Sequence, residues 1–107
     1  MSDWQELDDT VNFLNSYGNS LSIMQCTTAY PTKPEQWGLS CIAQMKQRYH
    51  LPVGFSDHSA DIYACLAAKT LGAELLEFHV VNVFSFLLKS GVSTQSFTTY
   101  FTLPYIS

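Results

Sequence analysis

Positive charge is scarce in this sequence. Lysine and arginine together number 5 against 9 acidic residues, for a formal net charge of −4. No basic cluster occurs along it, which excludes nucleic acid or an anionic membrane as the main partner. Cysteine is scarce too: Cys26, Cys41 and Cys65 are widely spaced and form no CxxC pair. Such an odd set is neither a disulfide framework nor a zinc knuckle, and reads as buried, reduced thiols of a cytoplasmic protein. No run of about 18 apolar residues exists, so no membrane-spanning helix is expected. The first residues, Met1 to Glu6, show neither the basic nor the apolar stretch of a secretory leader. Length is the last shortage. The 107 residues make one ordinary domain, but a complete eight-stranded β/α barrel takes roughly 250.

What is present is apolar. Hydrophobic residues make up 47% and charged residues 13%, where an average domain carries about 25% charged. This excludes a disordered or acidic-tail protein. It also suggests a piece whose surface is normally covered by something else.

Helix and strand signals alternate along the chain. Ser2 is placed to cap a helix with Gln5 as the returning partner, and Trp4, Leu7, Val11 and Leu14 follow at helical spacing, so residues 3–17 are expected to be helical up to Gly18. Residues 21–26 read as a short buried strand. Tyr30 to Pro34 is loop, because Pro31 and Pro34 interrupt it. A second helix is expected from Glu35 to before Pro52, with Leu39, Ile42, Met45 and Tyr49 on one face. Residues 53–56 form a second strand, Ser59 is placed to cap a third helix ending near Leu71, and residues 75–80 form a third strand. Such alternation means α/β architecture with parallel strands and crossover helices. Three parallel strands are only part of a sheet, and two edges are expected to stay open. Residues 82–107 change character. Lys89 is their one charged side chain, and Phe97, Tyr100, Phe101 and Tyr105 read as a strand pair or an adhesive tail.

Ligands of parallel α/β folds bind at the carboxyl ends of the strands. Those ends carry Cys26 to Thr32 after the first strand, Ser56 to Ser59 after the second, and Glu77 and His79 on the third. One β/α unit separates His58 from His79, which puts them on neighbouring strands about 5 Å apart. They are either a pair sharing one ion or ordinary polar residues. Glu77 and His79 share a strand face and either orient a site or form a structural pair. Ser56, before an expected helix start at Ser59, is either part of a phosphate cradle or next to ordinary capping. Asp57 either caps this turn or holds a hydrogen bond to His58. Tyr30 either serves a site or packs on its proline turn. Trp37, Met45 and Tyr49 read as packing residues.

Three segments together resemble a known family. Met24-Gln25-Cys26-Thr27-Thr28-Ala29-Tyr30-Pro31-Thr32, Pro52-Val53-Gly54-Phe55-Ser56-Asp57-His58-Ser59 and Leu71-Gly72-Ala73-Glu74-Leu75-Leu76-Glu77-Phe78-His79 are similar to the sialic acid synthases, which include N-acetylneuraminate, pseudaminic and legionaminic acid synthases. The resemblance covers about residues 2–81. It implies a partial (β/α)₈ TIM barrel, strands six to eight with their helices, followed by a non-matching tail over 82–107. It further implies condensation of phosphoenolpyruvate with an N-acetylated hexosamine such as N-acetylmannosamine, releasing phosphate. A divalent ion, Mn²⁺ or Mg²⁺, is implied on His58 and His79, acting as a Lewis acid toward the sugar aldehyde. By the same resemblance Glu77 and Tyr30 take catalytic positions. Thr28, Tyr30, Ser56 and Asp57 take substrate-binding positions, Ser56 at the phosphate.

The departures shape the expected function. The family's first five strands, its phosphoenolpyruvate-binding lysines, an N-terminal acidic residue and an antifreeze-like domain have no counterpart here. Val80-Val81 leads into Asn82-Val83-Phe84-Ser85-Phe86, which does not match the family. The expectation is therefore a synthase fragment, inactive alone. The alternative is a non-catalytic, truncated or decayed half-barrel that self-assembles through its open sheet edges or pairs with another chain. A small unrelated α/β binding module is the third reading.

Overall fold

A computed structural model describes residues 2–81 and the backbone of residues 96–102. The order of elements is α1 (Trp4–Asn15), β1 (Ile23–Cys26), a 3₁₀ turn (Pro34–Gln36), α2 (Ser40–Tyr49), β2 (Val53–Asp57), α3 (Tyr63–Thr70), β3 (Leu75–Val81) and β4 (Ser96–Thr102). The sheet runs β1-β2-β3-β4. Its first three strands are parallel, with Cys26 level with Ser56 and Ser56 level with Glu77. The expected α/β alternation with a three-stranded parallel sheet is therefore present. No described helix is long and apolar enough to cross a membrane.

Strand alternation divides the sheet into two faces. Ile23, Val53 and Phe55 belong to a buried cluster with Ile42 and Met45 of α2 and Ala64 and Ala68 of α3, and Leu76 packs against it. This is the helix-facing side. Cys26, Ser56, Glu77 and His79 alternate to the opposite side. Gly54 is required at its position, because a Cβ there would stand 2.7 Å from Leu75 Cβ and 2.8 Å from its carbonyl oxygen.

α1 covers α2 from outside. Val11 is buried in the cluster and Leu7 packs on it. Arg48 and the Tyr49 hydroxyl both donate to the Asp8 carboxylate, the latter at 2.6 Å. The Arg48 guanidinium also lies 5.3 Å from the Trp4 ring centroid. Hydrogen bonds from Arg48, and then from Tyr49, lower the Asp8 pKa to about 2. Burial, and then Asp8, push the Tyr49 hydroxyl above its ordinary value.

Several boundaries differ from the sequence reading, each for a local reason. The cap of α1 is Asp3, not Ser2: its carboxylate accepts the Glu6 N–H at 2.8 Å, and a charged oxygen suits the positive helix end. The helix expected from Glu35 onward is broken at Gly38. There φ is +66°, outside the helical range, so a 3₁₀ turn ends and α2 begins at Ser40. Ser59 does not cap α3. Ala60 at φ +65° turns the chain away first, and Asp61 accepts the Tyr63 N–H at 2.8 Å to start the helix. The helix start invoked for a phosphate cradle beside Ser56 is thus displaced by four residues. The edge of β3 is not open either: β4 pairs with it antiparallel, from Leu75 opposite Thr102 to Val81 opposite Ser96. Phe97, Tyr100 and Phe101 fall on β4. Tyr105 and the rest of 82–95 and 103–107, where a non-matching tail is expected, lie outside the described residues.

Candidate functional site

The site is assembled at the carboxyl end of the sheet, from two segments that follow strands and from one strand end. Tyr30 comes from the loop after β1, His58 directly follows β2, and His79 lies near the end of β3. The three rings form a triangle. The centroids of His58 and His79 are 5.3 Å apart, those of Tyr30 and His58 5.8 Å, and those of Tyr30 and His79 6.0 Å. The imidazole separation agrees with the spacing of neighbouring strands. Tyr30 is 64% exposed, and its ring meets both imidazoles edge-on.

His58 is the most firmly held member. Its Nδ1 lies 2.9 Å from the Thr27 carbonyl oxygen. A carbonyl only accepts, so this contact places the proton on Nδ1 and leaves Nε2 as the ring's free acceptor. The His58 carbonyl accepts the Thr32 N–H at 2.8 Å, and Cys26 Sγ approaches Nδ1 at 4.0 Å. The loop around Tyr30 is fixed by the same strip of contacts. Thr32, buried, donates its hydroxyl to the Ala29 carbonyl. Trp37 Nε1 donates to the Thr32 carbonyl at 3.2 Å, and the Thr27 hydroxyl to the Gln36 carbonyl at 2.7 Å. Two hydrogen bonds therefore tie the loop carrying Tyr30 to the His58 segment.

The other candidate residues take different places. Ser56 is buried, and Glu77 is level with it on β3, partly exposed and on the same face as His79. Thr28 is exposed in the loop two positions before Tyr30. Asp57 is on the helix-facing side: Oδ1 accepts the Ser59 N–H at 2.7 Å and Oδ2 accepts from Cys65 Sγ at 3.3 Å. Of the two roles open to Asp57, capping the turn is the one the hydrogen bonds display. Burial, and then the Asp57 carboxylate, push the Cys65 thiol up to about 12. A cavity of about 740 Å³ opens beside this cluster between α3 and β3, with Tyr30 and His79 at one end and Ile62, Cys65, Leu66 and Phe78 along its wall.

The residue types test what the cluster accepts. His58 offers Nε2 and His79 stands beside it. Among the described residues, no third His, Cys, Asp or Glu completes a metal-holding group. Imidazole nitrogens suit borderline transition-metal ions, and with the other positions left to water or substrate oxygen the pair fits Mn²⁺ better than the more oxygen-seeking Mg²⁺. Sequence reasoning gave no separate role to Thr27, Thr32 and Cys65, while the packing reading of Trp37 holds. The two threonines meet His58 through backbone atoms, which no residue type announces. Cys65 had a visible sign: it is the one hydrogen-bonding side chain in the Ala64–Ala68 stretch.

Parallel strands, crossover helices and a ring cluster at the carboxyl ends define an α/β protein of the kind that binds small ligands beyond its strand ends. The chain belongs to the NeuB family, the sialic acid synthases: the family pattern matches residues 1–84. It is 41% identical over 75 residues to a pseudaminic acid synthase of Campylobacter jejuni, covering 70% of this chain and 20% of the relative. It is 33% identical over 82 residues to the N,N'-diacetyllegionaminic acid synthase of the same species, covering 74% and 25%. Its structure matches that of an N-acetylneuraminic acid synthetase from Leptospira borgpetersenii in complex with citrate, with TM-score 0.73, 27% identity, and coverage of 79% of this chain and 30% of the other. The chain thus spans a quarter or less of the length of these curated relatives.

Proposed function

We propose that residues 1–81 form the sixth to eighth strands, with their helices, of a (β/α)₈ TIM barrel, and carry part of a sialic acid synthase active site. The reaction is condensation of phosphoenolpyruvate with an N-acetylated amino sugar such as N-acetylmannosamine, releasing phosphate. The observation that carries this reading is the Tyr30–His58–His79 triangle at the carboxyl ends of adjacent parallel strands, in a chain of this family. His58 and His79 hold a divalent ion, Mn²⁺ in preference to Mg²⁺. Bound there, the ion supplies Lewis-acid polarisation of a carbonyl oxygen. Tyr30 covers the imidazoles and borders the substrate. Glu77 and Ser56 face the same side of the sheet as His79, in position to bear on substrate, with Ser56 toward the phosphate and Thr28 at the rim. Asp57 acts on the turn that carries His58. Citrate in the Leptospira synthetase structure is a small carboxylate anion, as phosphoenolpyruvate is, and supports the anionic substrate class. The three free cysteines support a reducing, cytoplasmic setting.

Catalysis needs every charged group held in place, and the 107 residues supply only part of the set the family uses. The expected outcome is Mn²⁺ binding by electron paramagnetic resonance, lost in His58→Ala and in His79→Ala, with no phosphate release from phosphoenolpyruvate and N-acetylmannosamine. Mn²⁺ binding that survives both substitutions sinks the metal assignment. Phosphate release by the 107-residue chain overturns its inactivity.

A second reading rests on the open flank of α3, where Ile62, Tyr63 and Leu66 are exposed beside the cavity. It makes the chain a non-catalytic partial barrel that self-assembles or pairs with another polypeptide. Light scattering separates the cases, since a monodisperse monomer counts against self-assembly.

A further inference from the structure

His58 sits in the middle of a turn whose backbone is set by its neighbour. Asp57 is only 6% exposed. Its Oδ1 accepts the Ser59 N–H at 2.7 Å, which closes an Asx turn across His58. Its Oδ2 accepts from Cys65 Sγ at 3.3 Å. Cys65 lies on α3 next to Ala64, which is buried against the sheet, so the sulfur is anchored by the helix rather than by a loop.

We infer that Cys65 is a positioning residue: its S–H fixes the Asp57 rotamer, and through it the turn that presents His58. Nothing in the reaction assigned above uses this thiol. The inference rests on the reading of His58 as the working imidazole, but not on any bound ion. Burial and the neighbouring carboxylate keep the sulfur protonated well past neutrality, so the donor is always present. Removing it leaves a buried carboxylate oxygen short of a partner. The cavity lined by both Asp57 and Cys65 offers that oxygen a path to water. A carboxylate that rotates into it gives up the Ser59 N–H, and the His58 turn loses its lock.

The test compares Cys65→Ser, which keeps a donor, with Cys65→Ala and with Cys65→Val, which fills the site without one. Long-range ¹H–¹⁵N spectra of the whole chain, recorded without metal, read the His58 ring. Wild type and Cys65→Ser are expected to show one tautomer, with the proton on Nδ1, and Cys65→Ala and Cys65→Val to lose that single pattern. If Cys65→Ala unfolds through the cavity it leaves, the site-filling Cys65→Val still gives the reading. A wild-type pattern in Cys65→Val, or a lost one in Cys65→Ser, overturns the inference. Mn²⁺ titration is the separate arm, with a loss of about 10-fold or more in affinity expected for the variants lacking a donor. Wild type that binds no Mn²⁺ yet shows the Cys65-dependent tautomer removes the metal reading and leaves Cys65 in its role.

Discussion

The two helices that flank β2 bury very different side chains. α2 sets Ile42 and Met45 against the sheet, at 0% and 3% exposure. α3 buries only Ala64 and Ala68 there, and leaves Leu66, like Ile62 just before the helix, in solvent at 59% and 68%. Both are crossover helices of the same kind between parallel strands. What differs is the neighbour. α2 is tied to α1, whose Leu7 and Val11 join the same cluster and whose Asp8 is held by Arg48 and Tyr49, whereas α3 borders a cavity on its side toward β3. The low-charge composition therefore has a place in the structure: on this side, large apolar side chains are present without being enclosed.

That contrast is sharpened most by Ile42→Ala. Emptying a fully buried site between α2 and the sheet is expected to cost about 2–5 kcal/mol in chemical denaturation. A loss no greater than that of a surface change breaks the claim that α2 carries the core. The clamp between α1 and α2 is a smaller, pH-dependent contributor. With its folded pKa lowered to about 2 from 3.8, Asp8 stabilises the fold above the ordinary carboxylate range, and that contribution is lost as pH falls through about 2. The melting-temperature gap between wild type and Asp8→Asn is therefore expected to shrink as the solution is acidified, and to shrink with added salt, because the pair is exposed. A gap indifferent to both removes the clamp from the comparison. The smallest effect belongs to Leu66→Ala on α3, expected within about 0.5 kcal/mol of wild type. A loss comparable to that of Ile42→Ala means that the flank is covered in solution, which favours self-assembly.

The alternation of helices and strands was legible because apolar periodicity and turn residues are local signals. The approach of His58 and His79 was legible for the same reason, since one β/α unit fixes the distance between neighbouring strand ends. The start of α3 was not. Ser59 is a capable cap, but the left-handed backbone of Ala60, which no side chain advertises, delays the helix past it to an N-cap at Ile62. The break before α2 was half visible. Gly38 stands in the sequence, but only its φ of +66° shows it ending one helical turn rather than passing through another. Asp57 was legible as a polar residue beside His58, while its direction depended on strand parity and on Cys65, eight positions along the chain. Pairing of β4 with β3 was least legible, because no local rule joins antiparallel partners that stand as far apart in the chain as Val81 and Ser96.

The reversed strand β4 has a kinetic consequence. It occupies the ladder of β3 along seven paired positions, from Leu75 to Val81. Under the proposed barrel, closure next to β3 would need that same row of N–H and C=O groups for an incoming parallel strand. Joining this chain to the other strands would then be a displacement reaction, in which one strand leaves before another docks. At high concentration of the incoming piece, the rate is set by the departure of β4 and stops rising with concentration. Shortening the chain before Ser96 removes the competitor and makes the association second order throughout.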